Sequence, residues 1–470
     1  METTKHTEDL FGLEGITTQV TSGEVQATFL RAHFNLPWNP FPPSGIATES
    51  PDAPPFREEH TRQISEFIRA AYRQRLTTKG LVIIGDFGTG KSHLLRLMEK
   101  QINENLADAR AIYVDRPRLE AQELNRAILR ALGEDTVRKM TWFIVRQQLA
   151  EDIQQSSPEL AQLRAKVEAS KRPPWQTYLP GLDSATVPSF EAVFNHKQID
   201  DYREFFQAYD QQGWNRELLR DYFTNALRRL IVPQSPSEFV NAFVTLLLAP
   251  DEKAIASWES LLALGPRQAK TLLRPREFLQ DLLKILALNG RNYTFLLIDE
   301  FEEVPLGALL TARQREDYLY TVSEVLNQIR EGLGLVLSIT PKAWERLTEL
   351  TPQLKDRLPE VIQLGPLDAR DVTNMIRYYL MRARENAKKD DPTFTYDEMD
   401  LRPFSPEVIQ SLVTKFPTDR TARNVLQFLY QLVEYCATNQ IASITLEVLD
   451  EALKIFDTMK VIRRARGVGR

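Results

Sequence analysis

Apolar residues along this chain follow two rhythms. Five short runs, Leu81–Gly85, Ala111–Val114, Thr294–Ile298, Gly334–Thr340 and Val361–Leu364, are dense in Ile, Val, Leu and aromatic side chains. Such runs predict strands buried on both faces, as in a parallel sheet covered by helices. Elsewhere the apolar positions recur every three or four residues, the period of an amphipathic helix. One stripe is Ile64, Phe67, Ile68 and Ala71, on a helix starting near Phe56. A second is Leu218, Leu219, Tyr222, Phe223, Ala226, Leu227 and Leu230. A third is Phe278, Leu279, Leu282, Leu283 and Leu286, with Pro275 suited to a first helical turn. A fourth, Val425, Phe428, Leu429, Leu432, Val433 and Cys436, steps i, i+3, i+4, i+7, i+8, i+11. Strands separated by helices define an α/β fold with a five-stranded parallel sheet.

The two rhythms also divide the chain. Residues 1–55 hold prolines at 37, 40, 42, 43, 51, 54 and 55 and read as an extended segment, although Phe34, Leu36, Trp38 and Phe41 need a surface to pack on. Residues 56–115 and 290–367 form the α/β core. Between them, 116–289 reads as a helical insertion broken near Lys171–Gly181. Residues 368–459 read as a helical lid and 460–470 as a basic tail.

Composition narrows the chemistry. The 470 residues carry 59 Lys+Arg against 64 Asp+Glu, a net charge of −5, so bulk charge does not make this a polyanion binder. Any nucleic-acid contact needs a local patch. The lone cysteine, Cys436, lies on the fourth apolar stripe and reads as an inert buried thiol, with no disulfide framework. His6, His33, His60, His93 and His196 are too scattered for a zinc site. No apolar run reaches membrane-spanning length and Met1–His6 is too polar for a signal peptide, so a cytoplasmic protein is expected.

One stretch carries specific chemistry. Leu81-Val-Ile-Ile-Gly-Asp-Phe-Gly-Thr-Gly-Lys-Ser-His93 is an apolar strand running into G-x-x-x-x-G-K-S. Phosphates are held by backbone N–H groups turned inward at a helix N-terminus, and Gly85, Gly88 and Gly90 supply the backbone freedom for that turn. Thr89 and His93 flank the cradle, Lys91 can reach terminal phosphates, and the Ser92 hydroxyl can hold Mg²⁺. Leu94, Leu95, Met98 and Ile102 continue at helical spacing, so the motif has the strand–loop–helix context it requires. The reading is a nucleoside triphosphate site. Thr294-Phe-Leu-Leu-Ile-Asp-Glu-Phe-Glu302 adds a strand ending in two acids. Asp299 can complete a Mg²⁺ shell through water, and Glu300 can polarise a water against a γ-phosphate. Glu302 and Glu303 read as surface charge.

These residues resemble the AAA+ ATPases, in particular the origin-recognition/ExeA-like branch. Phe34-Asn-Leu-Pro-Trp-Asn-Pro-Phe41 is similar to the F-x-L-x-x-x-P-F opening of ExeA-type and transposition-regulator ATPases, and Phe56-Arg-Glu-Glu59 to a shortened form of their first helix. The resemblance implies an AAA+ P-loop NTPase fold that binds ATP and Mg²⁺. Gly334-Leu-Val-Leu-Ser-Ile-Thr-Pro341 is similar to the sensor-1 strand, which implies Thr340 beside the γ-phosphate. Gln353-Leu-Lys-Asp-Arg-Leu-Pro359 is similar to the stretch bearing the arginine finger, which implies that role for Arg357 and a ring or filament of subunits. Arg420-Thr-Ala-Arg-Asn424 is similar to the start of the sensor-2 helix, with Arg423 the matching position. An ion pair of Arg357 with Asp356 or Glu360 stays open, as does a plain surface role for Arg423.

Two features depart from that branch. From Lys91 to Asp299 is 208 residues, far beyond a minimal core, and no winged helix is evident in the sequence after the expected lid. Gly85–His93 and Asp299–Glu302 also resemble the ATPases of bacterial phage-defence operons, a resemblance that implies a large helical insertion. The expectation is an ATP-hydrolysing switch or motor acting on DNA or a DNA-bound complex, with Arg116, Arg118, Lys342 and Arg346 as candidate contacts. The alternative is a signalling or protein-remodelling ATPase that recruits a protein partner through the insertion. Trp142, Trp175, Trp214 and Trp258 could stack on bases or belong to a core.

Overall fold

The computed structural model describes residues 25–45, 54, 56–74, 79–117, 121–170, 190–195, 199–231, 237–263, 275–307, 310–329, 331–416 and 420–465. The five apolar runs are five strands: β1 Lys79–Gly85, β2 Ala109–Val114, β3 Tyr293–Ile298, β4 Leu333–Ile339 and β5 Glu360–Leu364. They form one parallel sheet in the order β2-β3-β4-β1-β5. In register, Val114 lies opposite Ile298, and Ile298 opposite Leu337. Every residue of β3 and β4 is buried, whereas Glu360, Val361 and Gln363 of β5 are exposed, as befits interior and edge strands.

The other edge strand, β2, is closed by side chains. Asn103 accepts the Ala111 N–H through Oδ1 at 2.9 Å and donates through Nδ2 to the Ala111 carbonyl at 3.1 Å. Glu99, one turn earlier on helix Lys91–Asn105, accepts the Tyr113 N–H at 3.2 Å. The i, i+4 spacing of Glu99 and Asn103 puts both on one face, where they satisfy main-chain groups that an edge strand leaves unpaired.

The chain divides into two compact units. One contains the described residues of 1–66, 84–97 and 362–470. Its core joins Phe34, Leu36 and Phe41 to helices Ala369–Asp390, Pro406–Lys415 and Ala422–Thr438, through Val372, Ile376, Tyr379, Leu412, Phe428 and Leu432. The proline-rich opening is therefore not simply extended: Leu30–Phe34 is a helical turn, and Phe34 and Leu36 are fully buried while Trp38 stays exposed. The stripe Val425–Cys436 is buried throughout, and desolvation pushes the Cys436 thiol up to about 12. Helix Leu446–Ala465 runs into the segment expected to be a basic tail, of which 466–470 lie outside the described residues.

The other unit contains the described residues of 67–83 and 98–361, so the insertion helices and β2–β4 share one compact body. Helices Glu134–Gln155, Tyr202–Gln211, Arg220–Ile231 and Ser237–Leu248 surround an aromatic core. Trp142 packs 4.8 Å from Phe205 and 6.0 Å from Phe223, and its indole N–H donates to the Ile199 carbonyl at 3.0 Å. Trp142 is thus core, not a stacking platform. Trp214 makes an edge contact with Tyr209, Trp258 is half-buried, and Trp175 lies outside the described residues. Leu230 departs from its stripe and is exposed, whereas Ile231 beside it at the end of helix Arg220–Ile231 is buried.

Candidate functional site

The phosphate loop folds as its glycines require. Gly88 (φ 81°) and Gly90 (φ 98°) hold left-handed backbone that side chains resist. A Cβ on Gly85 would lie 2.6 Å from Thr89 Oγ1, and one on Gly88 2.9 Å from Arg423 Cβ. At Gly90 a Cβ would meet nothing within 4 Å, so space is open where the loop turns into the helix. Buried Thr89 donates its hydroxyl to the Asp86 carbonyl at 2.8 Å and braces the loop. Lys91 is buried, its Nζ donating to the Gly85 carbonyl at 2.7 Å and standing 5.7 Å from the exposed Phe87 ring. Ser92 is exposed and His93 half-buried on the first turn. The first four N–H groups of a helix have no intrahelical acceptor, so this turn offers donors and a positive dipole end to an anion.

Within the same unit, the start of helix Ala422–Thr438 reaches this loop. The Arg423 N–H donates to the Gly88 carbonyl at 3.1 Å, and Thr421 caps helix Ala422–Thr438 by accepting from the Asn424 N–H. The Arg423 side chain is exposed. Arg420, by contrast, spends its guanidinium on the Leu367 and Val413 carbonyls.

In the other unit, β3 ends in the acidic pair. Asp299 is 1% exposed and its carboxylate is held at both oxygens: Oδ1 accepts from the Ser338 hydroxyl and from the Glu300 N–H at 3.0 Å, and Oδ2 from the Tyr113 hydroxyl at 2.7 Å. Glu300 has a left-handed backbone (φ 50°), a conformation that costs about 1–3 kcal/mol for a non-glycine residue and persists only where its surroundings enforce it. Here they do, because the Glu300 N–H also reaches Ser338 Oγ and the Phe301 N–H bonds the Ser338 carbonyl. The Glu300 carboxylate pairs with Arg116 at 2.7 Å. Burial pushes its pKa up, and Asp299, Asp115 and Glu303 push the same way against Arg116.

The left-handed step also redirects the next residues. Phe301 and Glu302 turn inward and are buried, so Glu302 is not the surface charge expected; Glu303 stays outside and pairs with Arg116 at 3.7 Å. Arg116, read as a DNA contact, is committed to these two carboxylates. Arg346 pairs with Glu349 at 2.9 Å, Lys342 is exposed, and Arg118 lies outside the described residues.

Thr340 directly follows β4, is buried, and leaves its side chain out of the cap of helix Pro341–Leu350. The strand hydroxyl that meets Asp299 is Ser338, two residues earlier. Arg357 ends helix Pro352–Arg357, is exposed, and among the described residues forms no ion pair with Asp356 or Glu360. Gly80 on β1 allows this close approach, since a Cβ there would sit 2.9 Å from the Arg357 carbonyl. Sequence reading missed Tyr113 and Ser338 as site residues. The signal available was faint: a hydroxyl in each of two apolar strands.

Ser92 and Asp299 are hard oxygen donors, the chemistry Mg²⁺ prefers, and the open turn at Gly90 suits a phosphate. A glycine-rich loop between a parallel strand and its helix, with an acidic pair closing another strand, defines a P-loop nucleotide-binding fold. A family model described as an AAA domain matches residues 74–169 of this chain. Two solved structures of the Aeropyrum pernix ORC2 protein are similar. The form with ADPNP and ADP has 12% identity, covers 85% of this chain and 67% of that one, and has a TM-score of 0.40. The ADP form has 11% identity, 86% and 69% coverage, and a TM-score of 0.40. No curated protein matches. Among the described residues no helix is long and apolar enough to cross a membrane, and no cluster of His, Cys, Asp and Glu could hold a metal ion on its own.

Proposed function

We propose that this chain is a Mg²⁺-dependent ATPase that works as a switch or motor on DNA or a DNA-bound protein complex. The observation that carries the hydrolytic part is the pair Asp299–Glu300: a buried, braced carboxylate followed by one whose pKa is raised by burial. Lys91 and the loop N–H groups of Gly85–Ser92 bind phosphates, Ser92 and Asp299 hold Mg²⁺, and Glu300 orients the attacking water. Thr340 and Arg423 sense the γ-phosphate. Arg357, exposed and without an ion-pair partner among the described residues, acts on the nucleotide of a neighbouring subunit in an ATP-bound ring or filament. The DNA role, and the place in mobile-element or phage-defence biology, rest on the motif resemblance to the origin-recognition/ExeA-like branch. A cytoplasmic setting suits the single buried thiol.

A second reading, recruitment of a protein partner through the insertion, is favoured by Ile255, which is 73% exposed on helix Asp251–Leu262, one turn before half-buried Trp258. ATP hydrolysis assayed with and without single- and double-stranded DNA, alongside particle sizing in ATP, separates the two. DNA-stimulated turnover supports the first. ATP-dependent assembly without stimulation supports the second, and absence of ATP binding overturns both.

A further inference from the structure

Tyr113 is the penultimate residue of β2 and is 7% exposed. Its position is fixed twice, by the main-chain N–H held on Glu99 and by pairing of β2 with β3 opposite Leu297. The phenol reaches across to Asp299 Oδ2 at 2.7 Å and stands 3.3 Å from Asp115 Oδ1.

An ionised carboxylate offers about four acceptor positions. Three at Asp299 are taken, by the Ser338 hydroxyl, the Glu300 N–H and the Tyr113 hydroxyl. Ser338 and Glu300 both bind Oδ1, so without Tyr113 the carboxylate would be held at one oxygen and free to rotate about its Cβ–Cγ bond. With it, both oxygens are fixed and one direction remains open. A metal-bound water needs a fixed acceptor more than a strong one, and partners behind a metal-facing group commonly set its affinity.

We infer that Tyr113 is a positioning residue: its hydroxyl locks Asp299 in the orientation that receives the hydrated Mg²⁺ of a bound Mg–nucleotide. This rests on the reading of Asp299 as the metal-facing carboxylate. A tyrosine that only satisfies a buried charge would affect stability and nothing else, so the test reads metal dependence. A fluorescent nucleoside triphosphate is titrated into wild type, Tyr113→Phe and Lys91→Ala, in EDTA and across a range of Mg²⁺, with thermal melting alongside. The expected result is that Tyr113→Phe keeps its affinity in EDTA while its half-saturating Mg²⁺ concentration rises about tenfold. An unchanged Mg²⁺ dependence overturns the role of Tyr113, whatever the melting temperature does. Should Tyr113→Phe not fold, Tyr113→Gln is read by the same criterion. Wild-type binding that ignores Mg²⁺ overturns the assignment of Asp299 itself, and binding that survives Lys91→Ala overturns the phosphate-loop reading.

Discussion

The main-chain N–H of Arg423 donates to the carbonyl of Gly88 at 3.1 Å, so the first turn of helix Ala422–Thr438 is bonded to the middle of the glycine-rich loop. The contact depends on a missing side chain, since a Cβ on Gly88 would press to 2.9 Å from Arg423 Cβ and 3.1 Å from Thr421 Oγ1. Gly88→Ala must therefore displace the helix start or distort a loop already at φ 81°. We expect at least a tenfold loss of nucleotide affinity, with a stability cost of about 1–2 kcal/mol from the left-handed backbone alone. Equilibrium titration and thermal melting of the same variant check this. Wild-type affinity would show that the loop and the helix start move independently.

Glu300 gives a prediction about pH. A general base works only when deprotonated, so hydrolysis falls as pH drops through its pKa. Burial raises that pKa and Arg116, at 2.7 Å, opposes the rise. Arg116→Ala removes the opposing charge and should move the acid limb of the rate profile to higher pH. Glu300→Gln should abolish the limb and lower turnover by about 10²–10⁴-fold while nucleotide binding is kept. An acid limb that stays in place in Arg116→Ala would mean that a different group sets it.

Legibility followed locality. Gly85–Ser92 could be read because the loop's conformation is dictated by glycines a few residues apart, and Asp299–Glu300 because two acids closing an apolar strand have no packing role. Tyr113 and Ser338 look like ordinary strand residues until the sheet order brings β2 and β4 to either side of β3. Arg116 looks like a free cation because its partners, Glu300 and Glu303, are nearly two hundred residues away in sequence. Glu302 misleads for a finer reason: the left-handed backbone at Glu300 reverses which side of the turn faces inward, and no residue type announces it.

Arg357 gives a prediction about assembly. It is exposed at the end of its helix, without an ion pair among the described residues. If it acts on a neighbour's nucleotide, Arg357→Ala and Lys91→Ala are each inactive alone, one lacking the finger and the other the phosphate lysine. Mixed subunits then contain some interfaces with an intact loop facing an intact arginine. Recovery of part of the wild-type turnover on mixing is expected, and turnover that never exceeds the two separate variants would leave Arg357 as an ordinary surface residue.

The last prediction concerns what holds the opening segment to helix Ala369–Asp390. The Arg384 side chain is 1% exposed, yet its guanidinium donates to four carbonyls: Phe34 at 3.2 Å, Asn35 at 3.2 Å, Arg402 at 2.9 Å and Asp400. The Asp400 carboxylate lies 3.5 Å away, its charge opposing the lowering of the arginine's pKa by burial. A planar fork can serve carbonyls from two separate segments at once, which a lysine ammonium on a single stem cannot. Arg384→Met fills similar space but leaves the carbonyls without these donors, while Asp400 keeps Arg402 at 2.9 Å, so the expected loss is that of unsatisfied buried acceptors, about 1–3 kcal/mol. Arg384→Lys should recover only part of it. Because Phe34 and Leu36 pack in the same core, the residues around them should become protease-sensitive in Arg384→Met before the rest of the unit unfolds. Limited proteolysis with mass mapping, run beside chemical denaturation, measures both effects. Cleavage no faster than in wild type would mean that the apolar contacts of Phe34, Leu36 and Phe41 suffice to hold the segment in place.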